Sequence, residues 1–392
     1  MELFRKGGMK VERLWTKPFI LMTVGMLFLF TGFYLLLPTL PLFIKDLGGS
    51  ESQVGLLIGL FTLSAVVLRP IVGGMLDRYG RRPFIVWGLL FFVVAMYLYD
   101  WVGGLLFLVV LRVMHGMSWA ISTTAIGTAI TDIIPAARRG EGMGWYGMAM
   151  TVAMAIGPML GIWILQEYSF HGLFLFATGL SVIALIMAVV TKVPFQVKPT
   201  AGKMQFVEKS ILSVTVAIFF LAVAYGGITT FLPLFSESIK VNAGTFFLVY
   251  AVALTLIRPI AGKLSDRYGE VFVIMPALVV TIAALLVLSF SDGLSGVVVA
   301  AVLYGIGFGS AQPALQAAAL RIAPSDRRGV ANASFFTAFD LGIGLGAILL
   351  GWVSQYTSYQ ALFTVSAVSV VVSLLIFAIF VRRLLKYRVQ AE

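Results

Sequence analysis

Three ionisable residues stand inside stretches too apolar to tolerate charge without a reason. Asp340, in Thr337-Ala338-Phe339-Asp340-Leu341-Gly342, is the one acid near the middle of a long apolar segment. Arg112 and His115 share another, Val110-Leu111-Arg112-Val113-Met114-His115-Gly116. Such residues are expensive at membrane depth and mark an ion or substrate path by default. A carboxylate there can carry a proton or act as counter-ion to a cationic substrate; a protonated or hydrogen-bonded helix contact is the plainer reading. His115 is the only histidine within an apolar segment, since His171 falls near a loop. Imidazole, with an ordinary pKa of about 6.5, suits a proton relay, and a hydrogen-bonding spacer suits it equally. Arg112 could otherwise serve backbone carbonyls. Arg69 and Arg258 each precede a proline and are read as snorkelling to a nearby segment end.

The segments that must hold these residues follow from composition. Of the 392 residues, 60% are hydrophobic and 11% charged, with a mean hydropathy of +1.01. A soluble domain carries about 25% charged residues, so the chain is read as an integral membrane protein, with the lipid bilayer its surroundings. A crossing helix needs about 20 apolar residues. Twelve segments meet that length, at roughly 18–44, 53–76, 82–100, 103–131, 141–165, 170–191, 211–236, 243–264, 271–290, 294–320, 329–353 and 358–381. The longest polar stretch, Lys192 to Lys209 with Pro194, Pro199 and Gly202, divides them six and six. The expected fold is all-α: one six-helix bundle over 1–191, a linker over 192–210, and a second bundle over 211–392.

All but five of the 28 Lys and Arg residues fall in even-numbered connections or the two ends; the exceptions are Lys45, Lys240, Arg69, Arg112 and Arg258. That asymmetry places both termini in the cytoplasm. It also accounts for the net charge of +11 without nucleic acid. The basic N-terminus runs into a long apolar segment with no cleavage signature, so no removed leader is expected. There are no cysteines, no phosphate-binding Gly-x-x-x-x-Gly-Lys-Ser/Thr loop, no metal-spaced histidines and no assembled nucleophile. These features argue against an enzyme, an ATP motor, a metal site or any bound cofactor.

The halves repeat. Arg69 to Arg82 reads RPIVGGMLDRYGRR and returns as RPIAGKLSDRYG from Arg258 to Gly269, an offset of 189. The same offset relates Gly116 to Gly305, Gly157 to Gly346, and Thr151 to Asp340. Leu40-Pro41-Leu42-Phe43 recurs as Leu232-Pro233-Leu234-Phe235, so the first and seventh segments should both be broken. Fixed offsets of this length mean structurally equivalent halves.

The repeated phrase resembles the loop signature of the major facilitator superfamily, through Gly73, Asp77, Arg78, Gly80, Arg81 and Arg82, with Asp266 and Arg267 in the second copy. The likeness covers essentially the whole chain and is greatest to the twelve-helix, proton-coupled drug-exporter branch. It implies two pseudo-symmetric bundles around a central cavity, with these residues as a cytoplasmic gate latched by Asp77. Pro38 and Pro41 resemble an exporter signature in the first helix. Gly157, Pro158 and Gly161 resemble the antiporter signature of the fifth, where Ala153 and Ile162 replace two of its glycines. Arg112 and His115 resemble an Arg-x-x-Gln-Gly element tied to proton coupling, which makes Arg112 the electrostatic tuner of Asp340. Cavity-lining helices in the family supply Tyr34, Trp119, Tyr225, Tyr304, Gln312, Phe336, Phe339 and Asp340 as pocket candidates.

The expected function is proton-driven export of a small amphipathic or drug-like compound by a monomer in a bacterial plasma membrane. A carrier of one metabolite (a sugar, peptide or metal-chelating opine, exported or taken up) is the alternative. The first and fourth helices lack the extra mid-helix acid common in drug exporters, which leaves room for it. A non-transporting receptor on the same scaffold ranks third.

Overall fold

The computed structural model describes residues 13–135, 138–193, 208–324 and 327–389; side chains at 70, 77, 139, 140, 266, 328, 329 and 386–389 lie outside that description. Most of the expected linker lies outside it too. Among the described residues, twelve helices are long and apolar enough to cross a membrane. They are α1 Lys17–Asp46, α2 Glu51–Leu76, α3 Arg82–Trp101, α4 Leu105–Ile133, α5 Glu141–Glu167 and α6 Phe170–Val190, then α7 Lys209–Ser238, α8 Ala243–Ser265, α9 Glu270–Ser289, α10 Leu294–Ile322, α11 Val330–Tyr356 and α12 Tyr359–Leu385.

The first six pack as a bundle, with α1 against α5 and α6, α2 against α4, and α3 against α4 and α6. The second six repeat this: α7 against α11 and α12, α8 against α10, α9 against α10 and α12. Large apolar side chains such as Val67, Trp87, Leu106, Trp163, Leu256 and Trp352 stay exposed on the rim, where hydrocarbon would cover them.

Termini of the helices follow local chemistry. Ser50 opens α2 in a capping box with Gln53, and Ser169, Asn242 and Ser358 cap α6, α8 and α12 through their side chains; each satisfies a backbone N–H that the helix cannot. At the other end of the repeated phrase, Gly80 and Gly269 stop their helices at φ +84° and +85°. Only glycine adopts that conformation freely.

Two prolines shape α1, which consists of Lys17–Tyr34 and Leu36–Asp46 meeting at Leu35. Pro38 cannot donate to the Tyr34 carbonyl, so the ladder opens there; Thr39 donates to the Leu35 oxygen at 2.9 Å. Helix α5 crosses at this break. A Cβ on Gly157 would lie 2.6 Å from the Tyr34 Cβ, and Gly161 rests on the Leu35 carbonyl. The expected matching break in α7 is absent: the helix runs on through Pro233. Where α1 has Pro38, α7 has Thr230, so one proline acts there alone.

Among the described residues the bundles touch chiefly along α2 with α11, α5 with α8, and α1 with α7. On the α2–α11 seam Gly351 lies against Glu51, Gly55 against Ala347, and Thr62 against Gly344. At the face away from the basic connections, Ser52 N–H donates to Gln355 at 3.0 Å, and Tyr359 donates to Glu51, itself paired with Lys45 at 2.8 Å. Gln166 and Asn242 exchange amide hydrogen bonds of 2.8 and 3.2 Å between α5 and α8. The halves are therefore closed together at that face, under a shallow outer depression of about 540 Å³ lined by Lys45, Asp46, Glu237 and Asn242.

Candidate functional site

The seam ends on charge. Arg69 Nη1 of α2 and Asp340 Oδ2 of α11 lie 2.5 Å apart, with side-chain exposures of 19% and 25%. This ion pair joins the two bundles. Gly55, Thr62 and Arg69 are spaced by seven and occupy one face of α2; Asp340, Gly344, Ala347 and Gly351 recur every three or four residues on α11. Helical periodicity puts each set in line. The same rule explains why Arg69 does not snorkel as expected: exposed Val67, Ile71 and Met75 mark the opposite side of its helix.

Arg112 does not stand beside Asp340. Its Nε donates to the Leu57 carbonyl at 2.9 Å and its Nη1 to the Tyr99 hydroxyl at 3.2 Å, while its guanidinium lies 4.5 Å over the Phe61 ring. Tyr99 in turn reaches His115 Nδ1 at 2.9 Å. Since a guanidinium only donates, the Tyr99 oxygen accepts from Arg112 and its own proton is free to go to Nδ1 when the imidazole carries its proton on Nε2. Arg112, at 2% exposure, and His115, at 0%, are thus interior to the first bundle. They tie α4 to α2 and α3.

Each bundle carries an aromatic wall. In the first bundle Phe33 stacks on Trp119 at 4.3 Å and on Phe61 at 5.1 Å, and Phe61 meets His115 edge-on at 4.9 Å. In the second, Tyr225 stacks on Phe308 at 4.7 Å and on Phe339 at 5.8 Å, and Tyr304 meets Tyr250 at 5.8 Å. These walls correspond under the repeat: Phe61 with Tyr250, His115 with Tyr304, Trp119 with Phe308, and Phe33 with Tyr225. The second wall therefore carries three hydroxyls where the first carries none. The Tyr34 hydroxyl, stacked beside Phe30, feels Asp340, Tyr250 and Arg258 from the other bundle. Gln312 is buried on α10, and half-buried Phe336 packs edge-on against Phe335.

Sequence reasoning chose Tyr34, Trp119, Tyr225, Tyr304 and Phe339, which line these walls. It passed over Tyr250, Phe61 and Tyr99, and it read Arg69 and Arg258 as snorkelling to their segment ends. The repeat offset pairs Tyr250 with Phe61 as it pairs Arg258 with Arg69, so either aromatic would have pointed to the other.

At the basic face several of the expected gate residues are described. Arg81, buried, donates to Asp132 at 2.9 Å and to the Leu76 carbonyl. Arg82 donates to the Val189 carbonyl at 3.5 Å, and Arg78 and Arg267 lie over Tyr79 and Tyr268. Gly73 sits within a helix with open space around it. The side chains of Asp77 and Asp266 lie outside the description. In the second bundle Glu270 pairs with Arg321 at 2.9 Å. Glu270 and Arg321 are the repeat equivalents of Arg81 and Asp132, so the pair is conserved in place and reversed in sign.

The comparisons agree with this architecture. A model described as the Major Facilitator Superfamily matches residues 22–252 and 240–391. Staphylopine export protein of Staphylococcus aureus (strain Mu50) is 25% identical over 374 residues, spanning 91% of this chain and 94% of that protein. Quinolone resistance protein NorA of Staphylococcus aureus (strain MRSA252) is 28% identical over 351 residues, 86% of this chain and 89% of that protein. A crystal structure of a bacterial homolog to the human lysosomal transporter Spinster superposes with a TM-score of 0.74 at 16% identity, over 94% of this chain and 97% of that one. The chain belongs to the Major Facilitator Superfamily, as a membrane transporter and not an enzyme.

Proposed function

We propose that this transporter exports a small amphipathic compound in exchange for protons, and that the Arg69–Asp340 pair is its proton-responsive tie. The supporting observation is the pair itself: it links the two moving bodies, and both side chains keep partial access. While Asp340 is ionised it holds Arg69 across the seam. A proton on Asp340 removes the attraction and leaves Arg69 seeking another acceptor, which favours separation of α2 from α11. Alternating access then proceeds by rocking of the bundles.

Positive-inside charge makes the basic face cytoplasmic in a bacterial plasma membrane, with both termini inside. The described conformation, sealed opposite, is then the one that receives substrate from the cytoplasm. Asp77 with its arginines is the proposed latch of the other state, and one chain, carrying both bundles, works as a monomer. Outward direction is supported by the relatives whose names carry export and quinolone resistance.

Purified protein in liposomes loaded with a pH-sensitive dye tests the reading. Lipophilic cations, neutral amphiphiles, sugars and chelators are added in turn. Substrate-evoked proton flux should appear in the wild type and vanish in Asp340→Asn; flux that survives the substitution removes Asp340 from the coupling. A single responding ligand, with dyes ignored, would favour the one-metabolite exporter that the likeness to the staphylopine export protein also supports.

A further inference from the structure

Arg258 is the repeat equivalent of Arg69, and Thr151 is the equivalent of Asp340. Helix α8 packs on α5 as α2 packs on α11. The second seam therefore presents the cation of the first without its acid. Arg258 Nε and Nη2 are closed off from solvent and have no hydrogen-bond partner among the described residues. The hydroxyls of Tyr225, Tyr250 and Tyr304 are in the same condition, on side chains 1%, 3% and 1% exposed. Tyr250, Tyr34 and Tyr225 all act electrostatically on the Arg258 guanidinium, so these groups occupy one neighbourhood. Buried polar atoms without partners are costly, more so when they belong to a charged group. Their convergence on one wall points to an acceptor that arrives from outside the chain.

We propose that Arg258, with the hydroxyls of Tyr225, Tyr250 and Tyr304, docks a carboxylate of the transported compound at the level where residue 151 carries no acid. The inference rests on the export reading and names its substrate class. Asp340 is already engaged by Arg69, whereas Arg258 has no acid opposite it on its own seam, and its single charge suits a monoanion. Guanidinium and phenol groups only need to donate, and a carboxylate accepts from several donors at once. The aromatic wall of the first bundle, Phe33, Phe61 and Trp119, is the proposed stacking partner of an aromatic body. The substrate is thus an aromatic monocarboxylate, with its acid on the second bundle and its ring on the first.

Binding is measured on the intact protein in nanodiscs by quenching of tryptophan fluorescence, using 2-naphthoate and its methyl ester as probes. The wild type should bind the acid at least about tenfold more tightly than the ester, the equivalent of ~1.4 kcal/mol. Arg258→Gln should abolish that preference. Thr151→Asp should abolish it too, by supplying the acid in the chain itself, and its melting temperature should hold or rise because the pair is completed. Rescue of the preference by Arg258→Lys would be partial, since an ammonium lacks the planar fork. Equal binding of acid and ester by the wild type, or no binding of either, overturns the proposal, as does full preference retained in Thr151→Asp. Because this readout needs no gradient, loss of proton flux in liposomes with the acid preference intact would sink the antiport reading and leave the carboxylate site standing.

Discussion

Reversing the sign of an ion pair between helices is tolerated only when both partners reverse together, and this chain has done so between its halves. Arg81–Asp132 in the first bundle and Glu270–Arg321 in the second occupy equivalent places with opposite polarity. Arg81 and Asp132 are each 4% exposed. Arg81→Glu alone would bury two acids side by side and should cost on the order of 3–5 kcal/mol. Adding Asp132→Arg should restore most of the melting temperature in detergent, measured by intrinsic fluorescence. A double variant no more stable than the single one would show that the pair is not the unit. At this scale the sequence displayed the right residue types and concealed their partners. Asp340 stood out because acids are rare in apolar helices, yet nothing local distinguishes a partner on α2 from one on α4. Arg112 was the nearer guess by motif. Its real partners on other helices, Tyr99 and the Leu57 carbonyl, are brought in by helix packing that no short spacing encodes.

The elements were more legible, because the hydrocarbon sets their length and forbids an unpaired backbone. Twelve expected segments correspond to twelve helices, with ends differing by a few residues. The exception is instructive. A shared Leu-Pro-Leu-Phe phrase predicted two broken helices, and one occurred, because the break requires Pro38 and α7 has Thr230 in its place. The break in α1 and the glycines of α5 form one joint, with Gly157 on Tyr34 and Gly161 on Leu35. Gly161→Val should force the helices apart, lose about 1–3 kcal/mol of stability and abolish transport. Pro38→Ala should restore the ladder with little change in melting temperature and a slowed transport rate, if the joint is a hinge. Transport by Pro38→Ala at the wild-type rate would reduce the break to a packing feature.

For the whole molecule, the repeat in the sequence was enough to anticipate two bundles, and which face is closed could be seen only in three dimensions. Closure depends on small residues of α2 meeting those of α11, residues that sequence assigns to packing without saying against what. The closed face carries the Ser52–Gln355 hydrogen bond and the Gln166–Asn242 exchange between bundles. Rocking must break both, since each joins parts that separate when the other face closes. The chain has no native cysteine, so a pair introduced as Ser52→Cys with Gln355→Cys reports this contact alone. Mild oxidation of the double variant in liposomes should crosslink it efficiently without substrate and stop transport completely. A thiol reductant should restore the rate, and each single variant should transport under oxidation as the wild type does. Undiminished transport by the fully crosslinked protein would mean that the bundles do not part at this seam. The route through the molecule would then have to open between α5 and α8, leaving the Arg69–Asp340 tie outside the moving interface.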